Sequence, residues 1–305
     1  MHNPDSLVIN WHLTEACNYR CRYCYAAWNE SACPRELIHS PERTAMLLDE
    51  LYRFFQPGNP ANPLSRRMTW GNVRLNLAGG EPLLHSSKLP NIVNQARALG
   101  FEVSLISNGS RLDHALLERL APQLSWLGIS IDSTNPVTNR GIGRVDRRGQ
   151  LLHLDELTAG LTNARQTNPG LRLKLNTVVN QLNHGEDLGP LICRLAPDKW
   201  KVLRMLPVVS QDLVVSDGQF SDFVARHYAF RHILCAEDNS DMRDSYLMVD
   251  PHGRFFQNSL MDPGQGYAYS RPILEVGADA AFAQMTFNLE RFRARYILAV
   301  TGEEA

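Results

Sequence analysis

The sequence of 305 residues contains no run of 18 apolar residues, and its start lacks the basic and apolar regions of a signal peptide. It also has little net charge, because 31 Lys and Arg stand against 32 Asp and Glu. This balance argues against a broad basic surface for nucleic acid or for a membrane, although it leaves room for a local basic pocket. We therefore expect a cytoplasmic protein that binds neither nucleic acid nor a membrane.

Cysteine is scarce, and in a reducing compartment its six thiols are expected to be ligands, nucleophiles or core residues rather than disulfides. They are Cys17, Cys21, Cys24, Cys33, Cys193 and Cys235. The first three fall within eight residues, which favours a shared ligand. Cys33 is predicted to be a loop thiol nearby, and Cys193 and Cys235 lie on helical patterns and are expected to be buried.

No internal repeat and no linker divides the chain, and strand patterns alternate with helical patterns over most of it. Strands are predicted at 7–13, 72–78, 101–106, 125–131, 171–178 and 200–206. Helices are predicted at 41–55, 88–99, 112–120, 154–167, 187–195 and 219–234. This alternation predicts an α/β fold with a parallel sheet, and six units favour a partial (βα)6 barrel over a closed barrel of eight.

After residue 240 the pattern changes to a hairpin, with strands at 245–250 and 254–257, followed by a helix at 288–298. We therefore expect a partial barrel over residues 1–215 and a C-terminal extension over 216–305 that covers the ligand site.

The spacing Cys17-x3-Cys21-x2-Cys24 directly follows the first predicted strand. A structural zinc site needs a fourth ligand, and Cys33, His12 and His39 all stand at unusual spacings for that role. A [4Fe–4S] cluster held by three cysteines accounts for the odd number, and its fourth iron stays open to another ligand. A glycine pair, Gly79-Gly80, follows the second predicted strand and allows the backbone to approach a ligand closely.

Polar residues recur on one face of several predicted strands, opposite an apolar set. They are Asn10 and His12, then Arg74 and Asn76, then Arg172, Lys174 and Asn176, with Lys199, Lys201 and Arg204 adding charge from the sixth strand. In a barrel these side chains point inward, and burying them unpaired is costly. The pattern predicts an anionic, phosphate-rich ligand. The alternative is an antiparallel sheet whose polar face is simply solvated.

The segments ACNYRCRYCY and LAGGEP resemble the two signatures of radical S-adenosylmethionine (SAM) enzymes, which use a [4Fe–4S] cluster and SAM. Beyond these motifs, residues 10–277 resemble the viperin family of nucleotide dehydratases. The matching segments include LISNGS, GISIDS, IGR, KLNTVVN, DKWKV and EDNSDMRDSYLMVD. The vertebrate family's N-terminal amphipathic helix has no counterpart here, so the resemblance implies no membrane tether.

The resemblance implies that a 5′-deoxyadenosyl radical takes the 4′ hydrogen from CTP, UTP or GTP. Loss of the 3′-hydroxyl as water, with uptake of one electron and one proton, then gives a 3′-deoxy-3′,4′-didehydro nucleotide, which terminates viral RNA synthesis. A nucleoside triphosphate is thus the implied substrate, and an electron-donor protein of the flavodoxin or ferredoxin type is the implied partner.

The resemblance also implies roles for individual residues. The cluster ligands would be Cys17, Cys21 and Cys24. The SAM ligands would be Tyr23, Gly79, Gly80, Glu81, Ser107, Asn108, Ser130 and Arg144. The substrate ligands would be Asn10, Arg74, Asn76, Lys174, Asn176 and Lys201. Tyr246 and Lys174 are the candidate catalytic residues, with Tyr246 donating a proton or hydrogen beside the ribose. If its flanking motif is left aside, Tyr246 is interpreted as an ordinary core residue of the predicted hairpin.

Two other functions remain open on the sequence alone. One is a different radical SAM reaction, such as peptide modification or nucleotide cyclisation. Relatives of that kind usually carry further cysteines near the C-terminus, whereas no CxxC pair follows Cys24 here. The other is a metal-binding module without enzymatic activity, which iron content and cluster absorbance would separate from the enzyme.

Overall fold

The computed structural model describes residues 5–24, 35–208, 210–258 and 267–297. Its strands are β1 Ser6–His12, β2 Asn72–Ala78, β3 Glu102–Ser107, β4 Trp126–Ser130, β5 Arg172–Val179, β6 Lys199–Arg204, β7 Leu234–Glu237, β8 Leu247–Val249, β9 Arg254–Gln257 and β10 Ala268–Pro272. Its α-helices are α1 Pro41–Phe55, α2 Leu89–Leu99, α3 His114–Leu120, α4 Pro136–Ile142, α5 Leu154–Thr167, α6 Gly189–Leu195, α7 Asp217–Arg226, α8 Asn239–Met242, α9 Ile273–Val276, α10 Ala278–Phe282 and α11 Leu289–Ile297.

The chain divides into two compact units. Unit 1 comprises residues 1–17, 28–105 and 242–298, and unit 2 comprises residues 18–27, 106–241 and 299–305. In unit 1 the strand order is β10-β9-β8-β1-β2-β3, with parallel pairing from β8 to β3 and antiparallel pairing at β8–β9 and β9–β10. In unit 2 the strands β4-β5-β6-β7 are all parallel.

The alternation predicted for the strands is present. On β2, Val73, Leu75 and Leu77 are fully buried, whereas Arg74 stays partly exposed on the other face. On β5, Leu173 and Leu175 are buried in the same way. A period of two therefore separates an apolar face from a polar face in both units, as the pleat of a strand requires. The expected α/β architecture with parallel strands is confirmed.

Local signals place α1 where the sequence predicts it. The Ser40 hydroxyl accepts a hydrogen bond from the Arg43 amide at 3.3 Å, and Pro41 occupies the first turn, where its missing N–H costs nothing. At the other end of α1, the Phe55 ring lies edge-on to the rings of Phe255 and Phe282. These three aromatic side chains join α1 to β9 and α10 in the core of unit 1.

The helix predicted over 219–234 is wrong in its second half, because α7 ends at Arg226. His227 terminates it: the imidazole donates from Nδ1 to the Phe223 carbonyl at 2.8 Å and accepts the Leu188 amide at Nε2. After a short 3-10 turn the chain enters β7, which pairs in parallel with β6. Cys235 is buried as expected but lies on this strand rather than on a helix.

Several short elements escaped the sequence patterns. The helix α4 has only seven residues, too few for a clear period, and β10, α9 and α10 are shorter still. Cys193 was expected to be buried, but it lies exposed on α6. Among the helices of the described residues, none is both long enough and apolar enough to cross a bilayer.

His12, at the end of β1, is a buried histidine packed edge-on against the Phe256 ring. Burial lowers the pKa of its imidazole to about 3, so the ring is neutral at physiological pH. This environment suits the core or cavity histidine that the sequence suggests.

The buried His12 predicts an acid-sensitive contribution to stability. The unfolded chain takes up a proton near pH 6.5 and the folded chain does so only near pH 3, so stability is complete above 6.5 and falls with pH below it. By pH 5 the loss reaches about 2 kcal/mol. Urea unfolding of His12→Leu at pH 7.5 and 5.0 should show a pH dependence smaller by this amount. His114→Leu, on the exposed surface of α3, is the control, and an equal change in both variants would contradict the assignment.

Candidate active site

In unit 1, the segment before Cys17 lies directly against the glycine turn that follows β2. The Gly80 amide donates to the Thr14 carbonyl and the Glu81 amide donates to the Ala16 carbonyl, both at 2.8 Å. A Cβ on Gly79 would lie 2.9 Å from the Thr14 oxygen, and a Cβ on Gly80 would overlap the Ala16 carbonyl. Only glycine permits this approach, so the turn holds the start of the cysteine segment.

Glu81 and Glu36 are both buried beside this segment. Glu81 caps the short 3-10 helix Pro82–His85 by accepting the Leu83 amide. Glu36 accepts hydrogen bonds from the Thr14 hydroxyl and, at 2.7 Å, from the Glu15 amide. Glu36 thus fixes the residues that lead into Cys17. Sequence reasoning missed it, because a single glutamate in a loop carries no motif.

His39 was considered as a fourth cluster ligand, but its ring belongs to the Glu36 network. Its Nε2 lies 3.6 Å from a Glu36 oxygen, and its Nδ1 lies 2.7 Å from the Lys88 ammonium. Glu36, His39 and His85 offer atoms within 4.8 Å of one another. The Lys88 ammonium already supplies positive charge here, so the group is a hydrogen-bonded brace for the cysteine segment. Of the other two considered ligands, His12 is the buried core histidine described above, and Cys33 lies outside the described residues.

The polar face of unit 1 forms a chain of hydrogen bonds across its strands. The Ser104 hydroxyl donates to the Asn76 Oδ1 at 2.9 Å, and the Asn76 amide donates to the Asn10 Oδ1 at 2.8 Å. Asn10 in turn donates to the Leu247 carbonyl on β8. The two predicted substrate ligands Asn10 and Asn76 are therefore in direct contact, at paired register positions of β1 and β2.

In unit 2, the segment around Cys21 is held by the end of α4. The Arg20 amide donates to the Gly143 carbonyl at 3.1 Å and the Arg22 amide donates to the Ile142 carbonyl at 2.9 Å. Gly143 has φ +89°, and a Cβ there would overlap the Arg20 carbonyl oxygen. The glycine of the sequence Ile142-Gly143-Arg144 is thus required by the close approach of the cysteine segment.

Arg144 and Tyr23 meet on the carboxylate of Asp132. The Tyr23 hydroxyl donates to Asp132, the Arg144 guanidinium lies 3.3 Å from the same oxygen, and it also donates to the Tyr23 oxygen at 3.0 Å. A second Arg144 nitrogen donates to the Ser130 carbonyl. Asp132 therefore brings together two predicted SAM ligands, Tyr23 and Arg144, and Arg144 contacts the backbone of a third, Ser130.

Burial and neighbouring charges keep both the Tyr23 phenol and the Arg144 guanidinium protonated. Burial raises the pKa of the Tyr23 phenol, and the Asp132 charge raises it further, so the phenol stays protonated. For Arg144, burial acts to lower the pKa, but Asp132 and Tyr23 hold it well above its ordinary value. The Asp132 Oδ1 also accepts the Val178 amide, which anchors the network to β5.

The predicted SAM ligands Ser107 and Asn108 are buried at the end of β3. The Ser107 hydroxyl accepts the Gly109 amide at 2.9 Å. The Asn108 amide donates to the Asn18 Oδ1 at 3.0 Å, and Asn18 donates to the Ser110 hydroxyl. Asn108 is thereby tied to the segment between the first two cysteines of the motif.

Three predicted ligands occupy one row across unit 2, where Ser130, Asn176 and Lys201 are paired in register on β4, β5 and β6. The Lys201 ammonium is 2.9 Å from the carboxylate of Glu237, which is buried on β7. Sequence reasoning missed Glu237 because β7 was not predicted: the helix predicted over 219–234 ran up to its first residue.

Arg204 was grouped with Lys201 on the sequence, but it does not share that face. It follows Trp200 and Val202 on the opposite side of β6, and its guanidinium binds Asp217 at 2.7 Å and Asp238 at 3.1 Å. The strand runs from 199 to 204, so an even residue such as Arg204 points away from the row that contains Lys201.

The remaining predicted ligands are partly buried. Lys174 lies on β5 in register with Gly128 and Lys199, two residues before Asn176 on the same face. Arg74 lies on β2, two residues before Asn76. Tyr246 directly precedes β8, and its carbonyl accepts the Gln257 side-chain amide at 2.5 Å, which fixes the backbone there.

Comparisons with known proteins identify the family. Residues 11–157 match the radical SAM superfamily. An S-adenosylmethionine-dependent nucleotide dehydratase of Psychrobacter lutiphocae is 42% identical over 97% of this chain and 98% of its own length. A second one from Pseudoalteromonas ulvae is 41% identical, over 97% of this chain and 94% of its own length. The RSAD2 dehydratase of Danio rerio is 31% identical over 94% of this chain and 76% of its own length.

Solved structures with a similar backbone support the fold. The anSMEcpe protein with bound AdoMet superposes with a TM-score of 0.66, at 12% identity, over 94% of this chain and 84% of that one. Streptococcus suis SuiB bound to S-adenosylmethionine gives 0.53 at 14% identity, over 83% and 60%. At such low identity the likeness extends to the fold alone, and it confirms the radical SAM fold class expected from the sequence.

Radical SAM proteins use a [4Fe–4S] cluster and SAM, and the residues of this chain fit both groups. Cys17, Cys21 and Cys24 are partly exposed thiols outside any disulfide, which suits thiolate ligands of iron. Buried hydrogen-bond networks and glycine turns hold the residues on either side of these cysteines. With full-length relatives above 40% identity, the chain belongs to the viperin family of S-adenosylmethionine-dependent nucleotide dehydratases.

Proposed function

We propose that this protein converts a ribonucleoside triphosphate, CTP, UTP or GTP, to its 3′-deoxy-3′,4′-didehydro analogue, a chain terminator in antiviral defence. The observation that carries the proposal is the identity of 41–42% with two nucleotide dehydratases over 97% of the chain. The polar faces of both units support it, because amide and cationic side chains suit a sugar and a triphosphate. We further propose that the protein acts in the cytoplasm.

The cluster would be held by Cys17, Cys21 and Cys24. In unit 1 the SAM ligands would be Gly79, Gly80 and Glu81. In unit 2 they would be Tyr23, Ser107, Asn108, Ser130 and Arg144. Asp132 orients two of these, since its carboxylate binds both the Tyr23 hydroxyl and the Arg144 guanidinium. When bound, the cluster and SAM supply the 5′-deoxyadenosyl radical that takes the 4′ hydrogen of the substrate.

Substrate contacts are assigned to each unit separately. Unit 1 would contribute Asn10, Arg74 and Asn76. Unit 2 would contribute Lys174, Asn176 and Lys201. The ammonium of Lys201 lies 2.9 Å from the Glu237 carboxylate and would also bind a phosphate oxygen. Glu237 also lowers the net positive charge at this position, which weakens the attraction for a triphosphate.

Two residues would act on the substrate during the reaction. Lys174 would hold the charged groups of the nucleotide, and the Tyr246 hydroxyl would deliver a proton or hydrogen next to the ribose. The fixed backbone at Tyr246 supports such a role, because a donor needs a defined position. A reduced electron-donor protein of the flavodoxin or ferredoxin type would supply the electrons.

The decisive experiment reconstitutes the protein with iron and sulfide under anaerobic conditions and supplies SAM, dithionite and each nucleoside triphosphate in turn. Mass spectrometry should detect 5′-deoxyadenosine and a nucleotide lighter by one water. Cys17→Ala should abolish both products and the full complement of about four irons per chain. Cys193→Ala changes an exposed residue of α6 and should leave the products and the iron content intact. If no triphosphate stimulates SAM cleavage by the wild type, the proposal fails.

Replacing Asp132 tests the organisation of the SAM ligands. Asp132→Asn keeps an acceptor for the Val178 amide but removes the charge that holds Arg144, so SAM affinity should fall about tenfold. Equilibrium dialysis of the reconstituted variant measures this, with iron content unchanged. Asp155→Asn removes a surface carboxylate from a pair with Arg194 and serves as control. Equal SAM affinity in both variants would refute the role.

The pair formed by Lys201 and Glu237 allows two opposite changes. Glu237→Gln leaves the Lys201 charge without its counter-charge and should lower the KM for the triphosphate several-fold. The double variant Lys201→Gln/Glu237→Gln removes both charges without leaving one buried, and should raise KM about tenfold. Arg204→Gln, on the opposite face of β6, should change KM little. A KM that moves in the same direction in both variants would contradict the assignment.

The role of Tyr246 is tested by the ratio of dehydrated nucleotide to 5′-deoxyadenosine rather than by the rate of SAM cleavage. With Tyr246→Phe, SAM cleavage should continue while the dehydrated nucleotide per 5′-deoxyadenosine falls well below the wild-type ratio, because the donor hydroxyl is gone. Tyr228→Phe, whose side chain is solvent-exposed, is the control. A wild-type product ratio at a normal rate in Tyr246→Phe would remove the residue from the reaction.

A further inference from the structure

The surface of unit 2 beside Cys21 has a feature that binding of SAM and nucleotide does not use. Arg20 and Arg22 flank Cys21, and both side chains are exposed. Their backbone amides are bonded to the carbonyls of Gly143 and Ile142, three and two residues after Arg140, which is exposed near the end of α4. Three cationic side chains therefore lie along two hydrogen-bonded segments, one of which contains a cluster ligand.

An apolar area adjoins these arginines. Val137, in the first turn of α4, is 76% exposed, and Leu182 is 41% exposed. Val137 and Leu182 are neighbours through Gly141. This glycine lies one helical turn after Val137, and the Leu182 side chain packs over its Cα. The Arg22 guanidinium extends to the Gly141 carbonyl at 3.4 Å. Val137 and Leu182, with Arg20, Arg22 and Arg140, form what we call the arginine patch.

We propose that the arginine patch docks an acidic one-electron carrier protein, the reductant that the proposed function requires. An apolar centre with a rim of one charge is typical of transient docking surfaces, and small interfaces suffice for electron-transfer partners. The whole chain has a net charge of only −1, so attraction of an acidic partner depends on such a local concentration of arginine.

The position of the arginine patch next to the cysteine segment supports an electron carrier as its partner. Cys21 and Cys24 are partly exposed and belong to the same short segment as Arg20 and Arg22. A carrier seated on the patch would lie next to this segment. The reduced carrier would transfer one electron to the oxidised cluster. The carrier is then oxidised, and the cluster reduced, by one electron.

Asp212 lies within the patch and limits its charge. Asp212 is 3.3 Å from the Arg22 guanidinium, and both side chains are about half exposed or more. Exposed pairs of this kind are weak, so an acidic partner can compete with Asp212 for Arg22. The rim charge should act mainly on the association rate and on its salt dependence.

The test separates docking from catalysis by using two reductants on the reconstituted holoenzyme. Reduced flavodoxin is the acidic carrier, and dithionite is the small reductant that needs no docking. The variants are Arg140→Glu and Val137→Asp, alone and combined, with Arg119→Glu on exposed α3 as the matched control. Asp in the first turn of α4 is compatible with the helix, so folding should be preserved.

At low salt, Arg140→Glu should reduce the rate of flavodoxin-dependent cluster reduction at least fivefold, and the double variant should reduce it further. The affinity for oxidised flavodoxin, measured by calorimetry, should fall in parallel and should depend less on salt in the variants that carry Arg140→Glu. Dithionite-driven SAM cleavage should match the wild type in every variant.

Wild-type rates and affinities in the double variant would overturn the proposal, and so would an equal loss in Arg119→Glu. The proposed function fails separately, if dithionite drives no nucleotide dehydration in the wild type. The flavodoxin affinities still report on the arginine patch in that case, because they require no turnover.

Discussion

Close backbone approach at two glycine turns is the constraint on which the rest of the site depends. In unit 1 the residues before Cys17 receive hydrogen bonds from the turn at Gly79–Glu81, and in unit 2 the residues around Cys21 are bonded to Gly143. In both places a side chain on the glycine would overlap a carbonyl oxygen. The motif glycines therefore shape the cysteine segment whether or not they also touch SAM.

Buried polar groups around these turns are satisfied by partners within the same unit. Glu36 braces the Thr14–Ala16 segment, and Asp132 joins Tyr23 to Arg144. Buried charges are costly when they are unpaired, so each network fixes the geometry of its members as well as their protonation. Glu36 belongs to no recognisable motif, and Asp132 lies in the matching segment GISIDS without an assigned role, although both determine where the predicted ligands lie.

The sequence was sufficient for most of the fold, because period-two strands such as β2 and a capped helix such as α1 are encoded locally. The site was predictable where residues belong to spaced motifs, as with Cys17, Cys21 and Cys24. Contacts between distant segments were not predictable. Glu237 binds Lys201 only because β7 pairs with β6, and the helix signal of α7 concealed that strand. The face of Arg204, by contrast, follows from strand alternation alone, because residues 201 and 204 of one strand point to opposite faces.

The row of side chains from Ser104 to Asn10 has a direction. Ser104 on β3 donates to Asn76, Asn76 donates to Asn10, and Asn10 donates to the Leu247 carbonyl on β8. Reversing either asparagine amide would place two donors or two acceptors face to face, so neither has a second orientation of similar energy. The Leu247 carbonyl, which can only accept, thus fixes the orientation of the Asn10 amide, and Asn10 in turn fixes that of Asn76. The direction in which the Asn10 amide can donate and accept is therefore set by the sheet in the absence of any ligand.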